Sequence, residues 1–151
     1  MIKKSNDSSP QNSILELKDF QNSFTKKQKE AILSWISNIG NQGGAPDASE
    51  VGFFIKCSKM LGLNLDDANL VQFQSEQGTE NLITTLKSLN GSELEWFIVM
   101  NQSMIYCNKK TNSKEKSSIV FYFCDKIGIG VDKYLEVVNK GNELSKMFSF
   151  S

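Results

Sequence analysis

Leu61-Gly62-Leu63-Asn64-Leu65-Asp66 and Ile127-Gly128-Ile129-Gly130-Val131-Asp132 read as two copies of one stop signal. An apolar residue closes a helix, a glycine takes the left-handed C-terminal cap, and an aspartate opens the next element. Upstream, Phe54, Ile55, Ser58 and Leu61 lie 66 positions before Val120, Phe121, Cys124 and Ile127. Steps of one, three and three make this one apolar helical face written twice. Two related stretches are predicted, Gln28 to Leu70 and Glu93 to about Val138. Each reads as helix, polar loop, helix, stop and further helix.

Working outward, Ile14, Leu15, Leu17 and Phe20 give a short apolar face. Thr25-Lys26-Lys27-Gln28 is a capping box opening a helix with Ile32, Trp35, Ile36 and Ile39 on its inner stripe. That helix stops at Gly40. Asp47-Ala48-Ser49-Glu50 is a second capping box, and Asp66 caps a short helix with Leu70, Val71 and Phe73. Ser75 to Gly78 reads as a polar break, with Thr79 capping a helix through Leu82, Ile83, Leu86 and Leu89. Ser92-Glu93-Leu94-Glu95 opens a long helix whose inward residues are Trp96, Phe97, Met100, Met104 and Ile105. A lysine-rich loop from Asn108 leads to a helix from about Ser113 to Ile127, burying Ile119, Val120, Phe123, Cys124 and Ile127. Asp132 caps the last helix, with Tyr134, Leu135 and Val138 inward. No stretch sustains strand alternation. The β-prone run Ile119 to Cys124 shares a helical face with its first-half counterpart and is read as helix.

The expectation is an all-α, single-domain bundle of seven to eight helices, spanning 14–151 behind a disordered tail at 1–13. Two pseudo-symmetric four-helix repeats, about 14–74 and 79–140, would share one core because neither half alone buries its stripe.

Composition narrows the chemistry. The chain has 151 residues, 17 basic and 17 acidic, and no histidine. Every basic residue is lysine. Lack of histidine removes imidazole acid–base catalysis, Ser–His and Cys–His dyads and imidazole metal ligation. Lack of arginine removes bidentate recognition of phosphate or guanine, and zero net charge leaves no electrostatic footprint for nucleic acid. Cys57, Cys107 and Cys124 form no CxxC pair and read as small apolar residues in a reducing cytosol. No leader-like apolar region occurs in the first 13 residues, and no run reaches transmembrane length, so a cytoplasmic protein is expected.

The doubled pattern of helix, Asp-Gly-type loop, capped helix bearing Glu, Leu-Gly-Leu and short Asp-capped helix resembles the TerB-like domain, named from tellurite-resistance operons. The resemblance spans roughly 14 to 140. It implies an all-α fold without catalysis, a link to tellurite, oxidative and other chemical stress, and peripheral association with membrane complexes. It also implies a divalent cation such as calcium, held by acidic residues around two loops. Carried over by position, Gln42-Gly43 stands where the first Asp-Gly belongs, with Asp47 and Glu50 following after one extra residue. Asn108-Lys109 stands at the second, with Glu115 following. The implied ligand set is therefore Gln42, Asp47, Glu50, Asn108 and Glu115, with Asp66 or Asp67 as further donors. Amides replace both aspartates, and Lys109, Lys110, Lys114 and Lys116 would repel a cation.

Simpler readings stand beside these. Asp47 and Glu50 are explained as helix caps, Asp66 and Asp67 by a helix start, and Trp35 and Trp96 as core anchors. The lysines of 109–116 read as a solvated loop or as an interaction loop for an acidic protein partner. Gly43-Gly44 is not a phosphate loop, since no strand precedes it and no GK[ST] follows. Phe148 and Phe150 fit a frayed end, a core cover or a docking tail. Two further classes stay open. One is an adaptor or immunity-like protein with one specific partner. The other is a small enzyme using carboxylates or a cysteine activated by lysine or a helix end.

Overall fold

The computed structural model describes residues 21–41, 46–63, 76–109 and 111–140, and among these the chain is entirely helical. Six helices follow in order: α1 (Lys26–Gly40), α2 (Ala48–Leu61), α3 (Glu76–Lys87), α4 (Gly91–Cys107), α5 (Ser113–Ile127) and α6 (Val131–Lys140). No helix among them is long and apolar enough to cross a membrane.

The ends of the helices follow the local chemistry closely. Thr25 Oγ1 accepts the Gln28 N–H at 3.1 Å, while the Thr25 N–H donates to Gln28 Oε1 at 2.9 Å. Asp47 and Glu50 make the same reciprocal pair, both bonds at 2.9 Å. Each box satisfies two backbone donors that the first turn leaves without helical partners. At the other ends, Gly62 and Gly128 adopt φ of 74° and 80°. Behind them the Leu63 N–H reaches Ser58 O, and the Ile129 N–H reaches Cys124 O, both at 3.0 Å. These long-reach closures satisfy the last free carbonyls. At Gly62–Leu63 and at Gly128–Ile129 the two helices thus close in the same way.

Helices α1 and α4 form the centre. Residues 30–36 of α1 are all buried, as are 96–101 of α4, so the middle of each helix is enclosed on every side. Helix α1 packs on α2, α3 and α4; α4 packs in addition on α2, α5 and α6. One apolar cluster draws from all six helices, with Ile32, Phe53, Leu86, Phe97, Phe123 and Tyr134 fully enclosed. Its middle is aromatic. Trp35, Phe97 and Tyr134 each meet another ring edge-on or tilted, with Phe123 between them at centroid separations of 5.6, 5.1 and 5.3 Å. These offsets suit the quadrupoles of the rings.

Several expected details change. The doubled face is rotated: Ser58, Leu61, Cys124 and Ile127 are buried, but Phe121 is 57% exposed and Phe54, Ile55 and Val120 only half-buried. Cys57 and Phe123, also 66 apart, complete the true inner face. Helix α3 begins at Glu76, so Thr79 lies within it rather than capping it; Gly78 lowers helix propensity but does not forbid a helix. Helix α4 starts at Gly91 behind Asn90, whose side chain makes no cap bond, and Ser92 Oγ turns to Glu93 Oε2 at 3.0 Å. Asp132 sits in the first turn of α6 rather than at its cap. Leu135 is 47% exposed, and Tyr134 and Val137 take the inner positions. Ile119 on α5 is only half-buried. The expected tail at 1–13, the helical face at 14–20 and the Asp66-capped helix lie outside the described residues.

Candidate functional site

The two segments singled out by sequence meet along one edge of the molecule. Helix α4 ends at Cys107, and the chain passes through Asn108 and Lys109 toward α5. The start of α2 lies alongside. A cleft of about 420 Å³ is walled by Ala48, Ser49 and Gly52 on one side and Tyr106, Cys107 and Lys109 on the other.

Electrostatics report the same convergence. Burial pushes the half-buried Cys107 thiol above its ordinary value; the negative charges of Asp47 and Glu50 push it the same way, and Lys109 and Lys116 oppose them. Both carboxylates and both lysines therefore act on one sulfur.

Each candidate side chain has a defined local task. Glu50 is 1% exposed. Its Oε1 serves the Asp47 N–H, and its Oε2 is buried with no hydrogen-bond partner. Burying a polar oxygen in that state is costly. Glu50 also lines a small cavity of about 100 Å³ with Asn41, Pro46 and Met104. Asp47 is half-buried, with Oδ1 committed to the Glu50 N–H. Asn108 is 1% exposed and closes α4, its N–H donating to Ile105 O at 3.2 Å and its carbonyl accepting from Thr111 Oγ1. Glu115 is exposed and pairs reciprocally with Asn112, which caps α5. Lys109 and Lys114 are exposed, and Lys116 places Nζ 5.8 Å from the Tyr106 ring centroid. Gln42, Lys110, Asp66, Asp67, Phe148 and Phe150 lie outside the described residues.

Of the ligand set implied by the resemblance, Asp47 and Glu50 stand together, while Glu115 is occupied as a cap partner on another helix. Among the described residues no group of three or more Cys, Asp and Glu side chains is gathered as a metal cage. The three cysteines are free thiols, with Cys57 and Cys124 buried. Burial above all raises the Cys57 and Cys124 thiols, which suits packing rather than nucleophilic attack.

Two features escaped the sequence reading. The first is a buried polar chain. The Trp35 indole N–H donates to Asn101 Oδ1 at 2.8 Å, Asn101 Nδ2 donates to Tyr134 Oη at 3.0 Å, and Tyr134 Oη donates to Gln102 Oε1 at 2.6 Å. Asn101 interrupting the apolar stripe of α4 was the available signal. The second is a groove of about 330 Å³ between α4, α5 and α6, which meets the loop edge at Tyr106. Its signal was weaker, an excess of apolar residues on α5. A larger cleft of about 670 Å³, which reaches Asn41 at the end of α1, is walled by Trp35 and Tyr122, stacked at 6.0 Å and 18°.

No family model, curated protein or solved structure matches the chain.

Proposed function

We propose that this is a non-enzymatic, TerB-like interaction or sensing module of a bacterial stress response of the tellurite or oxidative type. In this reading it is a cytoplasmic bundle of two pseudo-symmetric four-helix repeats, with seven to eight helices in all. Its working surface is the edge where the start of α2 meets the loop after α4, and it acts by binding a protein partner there. The observation that carries the reading is that convergence: residues from separate halves of the chain flank a single cleft around Cys107. The matching capping boxes and glycine stops support the repeat.

The experiment is complementation. A strain lacking the protein should become sensitive to tellurite or peroxide and be restored by the intact protein. Joint reversal of Lys109, Lys114 and Lys116 to glutamate, in a variant that still folds, should not restore it. Full rescue by that variant, or no sensitivity in the deletion strain, would sink the reading.

A divalent cation at Asp47 and Glu50 is the second reading, and the orphaned Glu50 Oε2 favours it. The two carboxylates supply charge, and calcium requires several more oxygens around them. Calorimetric titration of chelator-treated protein with calcium and then magnesium tests it. Heat abolished by Asp47→Ala and Glu50→Ala supports a cation; no heat and no shift in thermal stability discards it.

A further inference from the structure

We infer that the groove between α4, α5 and α6 is a docking site for an acidic amphipathic helix of a partner protein. This rests on the interaction reading above and names the chemistry of the partner.

Three large apolar side chains from three helices ring the groove while facing solvent. Tyr106 is 66% exposed, Phe121 57% and Leu135 47%. Ile105, Val120 and Val131 lie beneath them. Exposing such residues together leaves apolar area in water that a partner could cover. A trough between packed helices has the width and curvature of another helix, whose residues at i, i+4 and i+7 enter it as a row.

Charge selects the partner. The chain is neutral overall, yet residues 109–116 contain four lysines against one glutamate. That glutamate, Glu115, is engaged with the Asn112 N–H. Lys116 lines the groove itself and lies over Tyr106, so the basic edge and the apolar ring meet there. On α6, Glu136 is paired with Lys133 at 4.0 Å. Asp132 beside Leu135 on α6 and Asp125 one turn beyond Phe121 on α5 are exposed acids that would favour a basic flank, but neither lines the groove, whereas Lys116 does. A carboxylate-bearing helix thus finds apolar contacts and opposite charge on one line, an arrangement that steers encounter and fixes orientation.

The test uses the full chain and a synthetic peptide of about 18 residues, roughly five helical turns. It carries leucine at i, i+4, i+7 and i+11 and glutamate on the opposite face. Calorimetry should give binding in the micromolar range. Phe121→Asp and Lys116→Glu, each at a solvent-accessible side chain and each checked for native circular dichroism, should weaken it at least about tenfold. Lys87→Glu, on α3, should leave it unchanged. A scrambled peptide of the same composition should bind at least about tenfold more weakly. The proposal is overturned by absence of binding at millimolar peptide, by equal binding of the scrambled peptide, or by binding that ignores both groove variants. It is overturned equally if the variants instead abolish self-association of the chain or its binding to phosphatidylserine vesicles. Failure here combined with lysine-dependent rescue in cells would remove the helical partner and leave the interaction reading standing.

Discussion

Trp35 and Asn101 stand 66 residues apart in the chain and share a buried hydrogen bond of 2.8 Å between the two central helices. Asn101 is fully enclosed and passes the contact on to Tyr134. The bond ties α1 to α4, and the next one ties α4 to α6. A buried polar chain of this kind stabilises only while every member has its partner.

Asn101→Ala should therefore destabilise the protein by about 2–4 kcal/mol, since it opens a cavity and strands the Trp35 indole N–H. Tyr134→Phe, which keeps the ring and removes the hydroxyl, should cost about 1–2 kcal/mol. Urea titrations followed by circular dichroism measure both. The double variant should cost less than the sum, because the two residues share one bond. Strict additivity would show that the chain is not energetically coupled.

Alkaline pH should weaken the fold through Cys57 and Tyr134. Burial, the largest cause for each, raises both groups above their ordinary values of 9.0 and 10.0. The unfolded chain then releases these protons at lower pH than the folded one, so the associated stability is intact below pH 9 and declines as pH rises past it. Each such group contributes a slope of up to about 1.4 kcal/mol per pH unit. Cys57→Ala should be less stable at neutral pH yet show a shallower decline between pH 9 and 11. An unchanged slope would assign the alkaline loss elsewhere.

Thiol labelling should single out Cys107. It is half-buried, whereas Cys57 and Cys124 are enclosed. Burial first, and then the charges of Asp47 and Glu50, favour its protonated thiol, while Lys109 favours the thiolate. Asp47→Asn should accordingly speed labelling and Lys109→Glu should slow it. The opposite order would separate Cys107 from the carboxylates and undo the convergence of the two segments. Labelling of Cys57 as fast as Cys107 would reopen a thiol-based enzyme.

The two glycine stops should respond differently to alanine. Both hold a positive φ, so each substitution should cost about 1 kcal/mol. At Gly128 an added methyl meets nothing within 4 Å. At Gly62 it comes within 3.1 Å of the Gln21 amide, whose Nε2 donates to Lys59 O. Gly62→Ala should be the more costly by a few tenths of a kcal/mol. Thermal melts of the two variants decide it.

Much of the helical framework was legible because it is local. Thr25 with Gln28, Asp47 with Glu50, and Gly62 with Gly128 carry their geometry in a few adjacent residues. The stripes through Trp35 and Trp96 marked both tryptophans as core anchors, and both are buried. The rotation of the α5 face was less legible, since Ile119, Val120, Phe121 and Phe123 are all apolar and periodicity cannot rank them. The start of α4 was missed because two polar residues, Asn90 and Ser92, compete for the cap. Near the candidate site Asp47, Glu50 and Lys109 were singled out from sequence, whereas Gly52 and Tyr106, which wall the cleft, were not. The approach of α2 to the end of α4 was not legible, because it depends on how both helices pack. Glu50 was legible as a cap; its enclosed and unpartnered second oxygen was not.

The chain contains two tryptophans, and the fold assigns one to each central helix: Trp35 to α1, at 3% exposure, and Trp96 to α4, at 1%. The protein consequently carries its own optical gauge. Native emission should be shifted to the blue by the dry interior, and its red shift should time the parting of α1 from α4. The same gauge is nearly blind to the loop edge around Lys109. A ligand arriving there could be missed by intrinsic fluorescence while being obvious to calorimetry.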